Sequence, residues 1–281
     1  MAGSTVSAAP ETVGAAMRLA GLDPVDARVL LQHVLGISHA ALLAHDERVL
    51  SEDERRRFVA LAARRAHGEP VAYLLGWREF YGRCFTVGPA VLIPRPETEL
   101  LIDQVLQHLP TAARIEVLDL GTGSGNIALT LALERPHCAV TAVDASGCAL
   151  AMALENARAL RAGNIEFVQG DWYGPVTDRW FDLVVSNPPY VAETDPHLGL
   201  GDLRFEPAAA LRAGADGLAA IRQIVARAPG HLRANGWLLI EHGCDQADAC
   251  QRLLADAGFV EVTTACDLAE LPRVSGGRRA R

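Results

Sequence analysis

From residue 114 onward, five short apolar runs alternate with longer segments of helical periodicity. The runs are RIEVLDL, CAVTAVD, IEFVQGD, FDLVVSN and WLLIEHG, and the helical segments fall at 126–134, 147–162, 216–229 and 245–257. A strand that is apolar at nearly every position has both faces buried. A parallel sheet covered by helices on each side supplies that environment. Two further short strands are expected around FVEVTTAC and PRVSG. The expectation is an α/β fold with a seven-stranded, mostly parallel sheet.

The chain before this region reads differently. Residues 1–73 are expected to be helical. In DPVDARVLLQHVLG, Asp23 stands as N-cap with Pro24 at the first helical position. Ser51 and Glu54 have capping-box spacing, and Gly68 is placed to end that helix. Phe58, Leu61 and Ala62 recur at helical spacing, which gives one buried and one charged face. A nearly neutral bundle of this size suits docking better than catalysis. Residues 74–93, rich in aromatic residues and punctuated by glycine, suggest a hairpin linking the bundle to a larger domain over 94–281. There PRPETE breaks the chain and starts the helix ETELLIDQVLQHL.

Composition excludes several classes. The 281 residues carry a net charge of −8, and all 26 basic residues are arginine. Nucleic-acid backbone is normally gripped by a basic face, and none is evident beyond the terminal GGRRAR, read as a solvated, disordered end. No apolar run approaches the length of a membrane span, and the N-terminus lacks the pattern of a secretory signal. Cys84, Cys138, Cys148, Cys244, Cys250 and Cys266 are scattered without a C-x-x-C pair, so free buried thiols in a reducing, cytoplasmic setting are expected and a metal site is not.

The first of the five strands runs into a glycine-rich turn, VLDLGTGSGNIAL, with Gly121, Gly123 and Gly125 spaced G-x-G-x-G. Glycine permits a tight turn and close approach of a ligand to the backbone. Asp144 ends the next strand, 19 positions after Gly125, where a carboxylate can accept from ribose hydroxyls. The dinucleotide fingerprint needs its third glycine one place later, where this chain has Asn126. The loop instead resembles the motif of S-adenosylmethionine-dependent methyltransferases. In that setting Asp171 and Trp172 fall beside the adenine, although Trp172 also reads as a core residue.

The fourth strand ends in Asn187-Pro188-Pro189-Tyr190. Two prolines remove two backbone donors and stiffen the chain, which leaves carbonyls with no competing N–H. Such a rim suits a planar –NH2 group, whose delocalised lone pair makes it a poor nucleophile. The Asn187 oxygen and the Pro188 carbonyl can each accept one N–H, which fixes the plane and favours positive charge on the nitrogen as it attacks. Tyr190 offers a flat face for stacking. The methylated amide loses its proton to water readily, so orientation and electrostatics replace a strong general base.

Longer segments choose among acceptors. EPVAYLLGWREFYG, VLIPRPETELLID and NPPYVAETDPHL with RFEPAAALRAGADGLAAI resemble the release factor glutamine methyltransferase family over nearly the whole chain. The resemblance implies a Rossmann-like methyltransferase sheet and S-adenosylmethionine as cofactor. It also implies N5-methylation of the glutamine in the Gly-Gly-Gln motif of peptide chain release factors, with the helical domain helping to bind them. By position, Gly121, Thr122, Gly123, Ser124, Gly125, Asp144, Trp172 and Asn187 would contact the cofactor. Asn187, Pro188, Pro189 and Tyr190 would hold the glutamine, with Asn187, Pro188 and Tyr190 catalytic, and Pro94–Glu99 would wall the pocket. A glutamine methyltransferase of a ribosomal protein shares NPPY but lacks the P-E-T-E string. A nucleic acid amino-methyltransferase is disfavoured by the acidic charge, and a non-catalytic cofactor-binding protein by the intact Asn187 and Tyr190.

Overall fold

The structure is a computed structural model that describes residues 10–19, 21–109 and 114–281. The chain divides into two compact units, Met1–Gly76 and Trp77–Arg281.

The first unit holds α1 (Val13–Met17), α2 (Pro24–Leu35), α3 (His39–Ala44), α4 (Glu52–Ala66) and α5 (Val71–Leu75). Local chemistry sets the helix ends. The Asp23 carboxylate accepts from the Val25 N–H at 2.7 Å, and α2 stops at Gly36 in the left-handed region. Ser51 and Glu54 form the full capping box of α4. Leu30, Leu31, Leu42, Phe58 and Leu74 meet in one small core, and the Arg65–Asp26 ion pair at 2.5 Å ties α4 to α2.

The second unit opens with the hairpin of β1 (Trp77–Phe80) and β2 (Arg83–Thr86), turned through Tyr81 and Gly82, both at positive φ. Phe80 and Phe85 are buried in the main core, so the hairpin packs into this unit and does not stand free as a tether. Next come α6 (Thr98–His108), β3 (Glu116–Leu120), α7 (Asn126–Glu134), β4 (Ala139–Asp144), α8 (Gly147–Leu160), β5 (Ile165–Gln169) and β6 (Phe181–Ser186). Then follow α9 (Ala208–Leu211), α10 (Ala219–Arg227), β7 (Leu232–Glu241), α11 (Ala247–Asp256), β8 (Phe259–Cys266) and β9 (Pro272–Arg279).

Seven strands form one sheet in the order β5-β4-β3-β6-β7-β9-β8, with β9 antiparallel to both its neighbours. Successive residues of β3 serve opposite faces, as strand pleating requires. Val117 joins the core beneath α6, α7 and α8, while Leu118 and Leu120 join the one beneath α10 and α11. The seven-stranded α/β expectation is met, and the helix expected over 216–229 begins at Ala219.

Two expectations fail. The arginine-rich end is not a loose tail, because Gly276, Gly277, Arg278 and Arg279 belong to β9, which lies between β7 and β8. Its glycines follow from crowding. A Cβ on Gly276 would lie 2.7 Å from Leu239 Cδ2 and 2.8 Å from the Leu238 carbonyl. The cysteines are free, but only Cys138 and Cys250 are buried; the other four are exposed. Among the described residues no helix is long and apolar enough to cross a membrane.

The crowding at Gly276 gives a direct expectation. Gly276→Ala should lower the urea midpoint by the equivalent of about 1–3 kcal/mol, the usual cost of overpacking. An unchanged midpoint would show that the centre of the sheet has room to spare.

Candidate active site

Strand register brings the site together. Leu120 on β3 lies beside Val143 on β4 and Ser186 on β6, and Ser186 lies beside Ile240 on β7. These four strands are parallel, so they end on the same edge of the sheet. The residues that follow or close them, Asp144, Gly121, Asn187 and Glu241, therefore stand in a row. Between β3 and β6 the strand order reverses, the place where such sheets bind ligands.

The glycine loop is built by its backbone. Gly121, Gly123 and Gly125 have φ of 75°, 56° and 82°. The N–H groups of Gly121 and Thr122 both donate to the Val143 carbonyl, at 2.8 and 3.0 Å. Asp144 braces the loop from the next strand. Its Oδ2 accepts from the Gly123 N–H and its Oδ1 from the Ser146 N–H, each at 2.8 Å. Each oxygen keeps acceptor capacity for another donor, such as a ribose hydroxyl. Asn156 of α8 is buried and ties the loop to the hairpin, donating to the carbonyls of Ser124 and Thr86.

A cleft of ≈ 340 Å³ opens over these strand ends. Gly121, Thr122, Gly123, Ser124, Asp144 and Trp172 line it, and so do Asn126 and Asp171. Gly125 does not. A Cβ there would meet Leu129 Cδ1 at 2.9 Å and Ala153 at 3.1 Å, so this glycine serves the packing of α7 against α8. Trp172 has both expected characters, since it lines the cleft and also packs against the core below. Its ring lies over the loop, 3.6 Å from where a Gly121 Cβ would be.

Charge in and under the cleft favours a cation. Asp119, two residues before Gly121, is fully buried, and neither of its oxygens has a fully formed hydrogen bond. Burial pushes its pKa up to about 7, with the Asp144 charge adding to the rise and Thr122 and the Ala128 N–H opposing it. Among the described residues lining the cleft, Arg95 is the one cationic side chain, and it is paired with Glu206. Asp144 and Asp171 face it with no such pairing to a cation in the wall. A glycine cradle, a carboxylate at ribose spacing and a second acidic side chain in the lining, Asp171, fit a sulfonium nucleoside.

The Asn-Pro-Pro-Tyr segment divides. Asn187 and Pro189 line the cleft, while Pro188 is buried and Tyr190 turns away. The Asn187 Nδ2 donates to Thr98 Oγ1 at 3.0 Å, whereas its Oδ1 is buried without a partner. Tyr190 is the clearest departure from expectation, because its ring packs into the core and offers no stacking face to the cleft. Its phenol donates to Glu241 Oε1 at 3.2 Å, and its carbonyl accepts from Gln246 at 3.0 Å. Burial, reinforced by the Glu241 charge, holds that phenol protonated far above its usual range.

Pro94, Arg95 and Thr98 supply one part of the wall, and Pro207, Ala209 and Ala210 supply another. Glu206 clamps the two parts together. Its side chain is fully buried, accepts from the Ile93 N–H at 2.9 Å and pairs with Arg95. Sequence reasoning placed Thr98 only within the Pro94–Glu99 wall and assigned no role to Glu206 or Glu241. Glu241 had a signal, since it is a carboxylate closing an apolar strand at the edge where ligands bind.

The buried Asp119 carboxylate yields a test. A carboxyl whose pKa is raised on folding stabilises the protein below its unfolded value and loses that contribution as pH rises to its folded value. Asp119→Asn should therefore be neutral for the melting temperature of the ligand-free protein below about pH 4 and increasingly stabilising up to about pH 7. A pH-independent difference would contradict this account of Asp119.

Comparison with known proteins agrees with this geometry. A family profile described as "Methyltransferase small domain" matches residues 98–214, and one described as "PrmC N-terminal domain" matches residues 15–76. The release factor glutamine methyltransferase of Burkholderia pseudomallei is 49% identical over 98% of this chain and 99% of its own. That of Bordetella pertussis is 51% identical over 92% of this chain and 95% of its own. Among solved structures, a methyltransferase from Pyrococcus furiosus matches 78% of this chain and 98% of its own with a TM-score of 0.54 at 16% identity, a likeness of fold. With the cleft, its glycine loop and the Asn187 rim in place, this extent of identity means that the chain belongs to the release factor glutamine methyltransferase family.

Proposed function

We propose that this chain transfers a methyl group from S-adenosylmethionine to the side-chain amide nitrogen (N5) of the glutamine in the Gly-Gly-Gln motif of peptide chain release factors. The observation that carries this reading is the Asn187 Oδ1, a buried acceptor without a partner on a residue that lines the cleft. An orphaned buried acceptor costs free energy that a substrate N–H recovers.

S-adenosylmethionine, when bound, supplies a methyl carbon activated by its sulfonium. The residues of this chain do the rest. Gly121 and Gly123 would leave the methionine part of the cofactor a surface free of side-chain bulk, Asp144 would receive the ribose hydroxyls, and Asp171 and Trp172 would flank the base. The Asn187 oxygen takes one N–H of the glutamine amide, and a main-chain carbonyl of the Pro188-Pro189 pair takes the other. With both hydrogens held, the amide plane is fixed and the nitrogen points along one line. Positive charge develops on that nitrogen during attack, and two fixed oxygen dipoles stabilise it. The N-methylated amide then releases its extra proton to water.

The helical unit through Gly76 is the docking domain for the release factor in this reading, and the protein works in the cytoplasm without nucleic acid or membrane as a direct partner. A glutamine at the tip of an extended loop has the slender reach a cleft of this size admits.

Purified protein with S-adenosylmethionine and a release factor should give a singly methylated Gly-Gly-Gln peptide by mass spectrometry. A mass shift on a ribosomal protein or DNA instead would overturn the assignment. Asn187→Ala should lower kcat by about 100-fold or more, as loss of a preorganised dipole does, with cofactor affinity changed far less. Parallel loss of both would contradict the role given to its oxygen.

A further inference from the structure

The terminal amide of asparagine is nearly symmetrical in shape but not in chemistry. Half a turn exchanges an acceptor for a donor. With nitrogen toward the cleft, Asn187 would meet a substrate –NH2 donor against donor. The reading of Asn187 as acceptor therefore needs something that fixes its orientation, and the groups behind it supply this.

Thr98, in the first turn of α6, and Glu241, at the end of β7, are each 1% exposed. Glu241 Oε1 receives the Tyr190 phenol at 3.2 Å. Its Oε2 is buried without a hydrogen-bond partner, and the Thr98 hydroxyl lies near enough to the carboxylate to favour its charged form. A carboxylate only accepts, and a threonine hydroxyl has one proton to give. Directed at Glu241, that proton leaves Thr98 Oγ1 purely an acceptor toward Asn187. The Asn187 Nδ2 fills that role at 3.0 Å, and the oxygen is left for the cleft.

We propose that Thr98 is a positioning residue which, backed by Glu241 and Tyr190, turns the Asn187 side-chain oxygen toward the substrate amide. The inference rests on the acceptor role of Asn187 and deepens it. The same polarity disfavours a glutamate side chain, whose carboxylate has no N–H to offer.

The chain of donors also has a reverse state. Protonated Glu241 becomes a donor to Thr98, the Thr98 proton is freed for Asn187, and the amide is no longer held. Burial raises the Glu241 pKa to about 7. The groups facing it are Thr98 and Tyr190, which lower the pKa by hydrogen bonding, Glu97, which raises it, and Arg273, which lowers it. Turnover should thus decline on the acid side of neutrality.

The test uses the full chain with Thr98→Val, which removes the hydroxyl at similar shape, and Thr98→Ser, which keeps it. Thr98→Val should reduce kcat about 10- to 100-fold, the scale of a misaligned reactant, with KM and cofactor affinity within about two-fold of wild type, as expected for an interaction used in the transition state. Thr98→Ser should recover most of the loss, and Glu241→Gln should flatten the acid limb of the kcat profile. Wild-type turnover by Thr98→Val, equal damage by both substitutions, or a parallel collapse of cofactor affinity would each overturn the proposal. NMR of the Asn187 side-chain amide decides independently of any methyl transfer. Its Nδ2 protons should be protected from exchange in wild type and lose that protection in Thr98→Val. Protection that is absent or unaltered would sink the orientation claim even for an active enzyme. An inactive wild type with the expected protection would sink only the assigned substrate.

Discussion

The parallel pairing of β3 with β6 is the constraint on which the rest depends. It aligns Leu120 with Ser186, so the glycine loop and Asn187 leave the sheet side by side. The Ser186 hydroxyl strengthens the junction by donating to the Leu120 carbonyl at 2.7 Å in a fully buried position. A slip of one residue would swap the two faces of β6 and carry Asn187 out of line with Gly121. The Ser186–Leu120 bond and the Asp182 carboxylate, which accepts from the Glu116 N–H at 2.9 Å near the other end of the pair, pin the register.

The site built on this edge follows a division of labour. One side is electrostatic and accommodates a cation, with Asp144 bracing the loop and Asp171 in the lining. The other side presents the unpartnered Asn187 oxygen. The prolines contribute by lacking N–H groups, and Thr98 contributes by accepting from the Asn187 side-chain nitrogen, which fixes the amide orientation. Glu206 then holds the two parts of the cleft wall in register through contacts that bridge more than a hundred residues of sequence. Each of these features costs stability in isolation, since buried carboxylates and orphaned acceptors are expensive. Their concentration at a single edge of the sheet is what marks that edge as functional.

Much of this was legible in the sequence, for definite reasons. Strands buried on both faces announce themselves as unbroken apolar runs, and the Asp23, Ser51 and Gly68 helix boundaries are local chemistry that no distant contact needs to complete. What escaped was long-range. Gly125 looks like a ligand-binding glycine, yet the reason for it is the approach of Leu129 and Ala153. Tyr190 looks like a stacking ring until the position of Glu241, opposite it on the neighbouring strand, is known. Gly276 and Gly277 look like a loose tail because the crowding that demands them comes from Leu238, Leu239 and Phe259 on other strands.

The central claim is that the Asn187 oxygen, not its nitrogen, faces the reacting amide. A crystal structure with S-adenosylhomocysteine and a Gly-Gly-Gln peptide from a release factor addresses it most directly. It should show the glutamine nitrogen at hydrogen-bonding distance from Asn187 Oδ1, with the cofactor sulfur on the opposite side of that nitrogen and the Asn187 Nδ2 still on Thr98. A glutamine bound with its oxygen toward Asn187, or a cofactor seated away from the Gly121–Ser124 loop, would contradict the account.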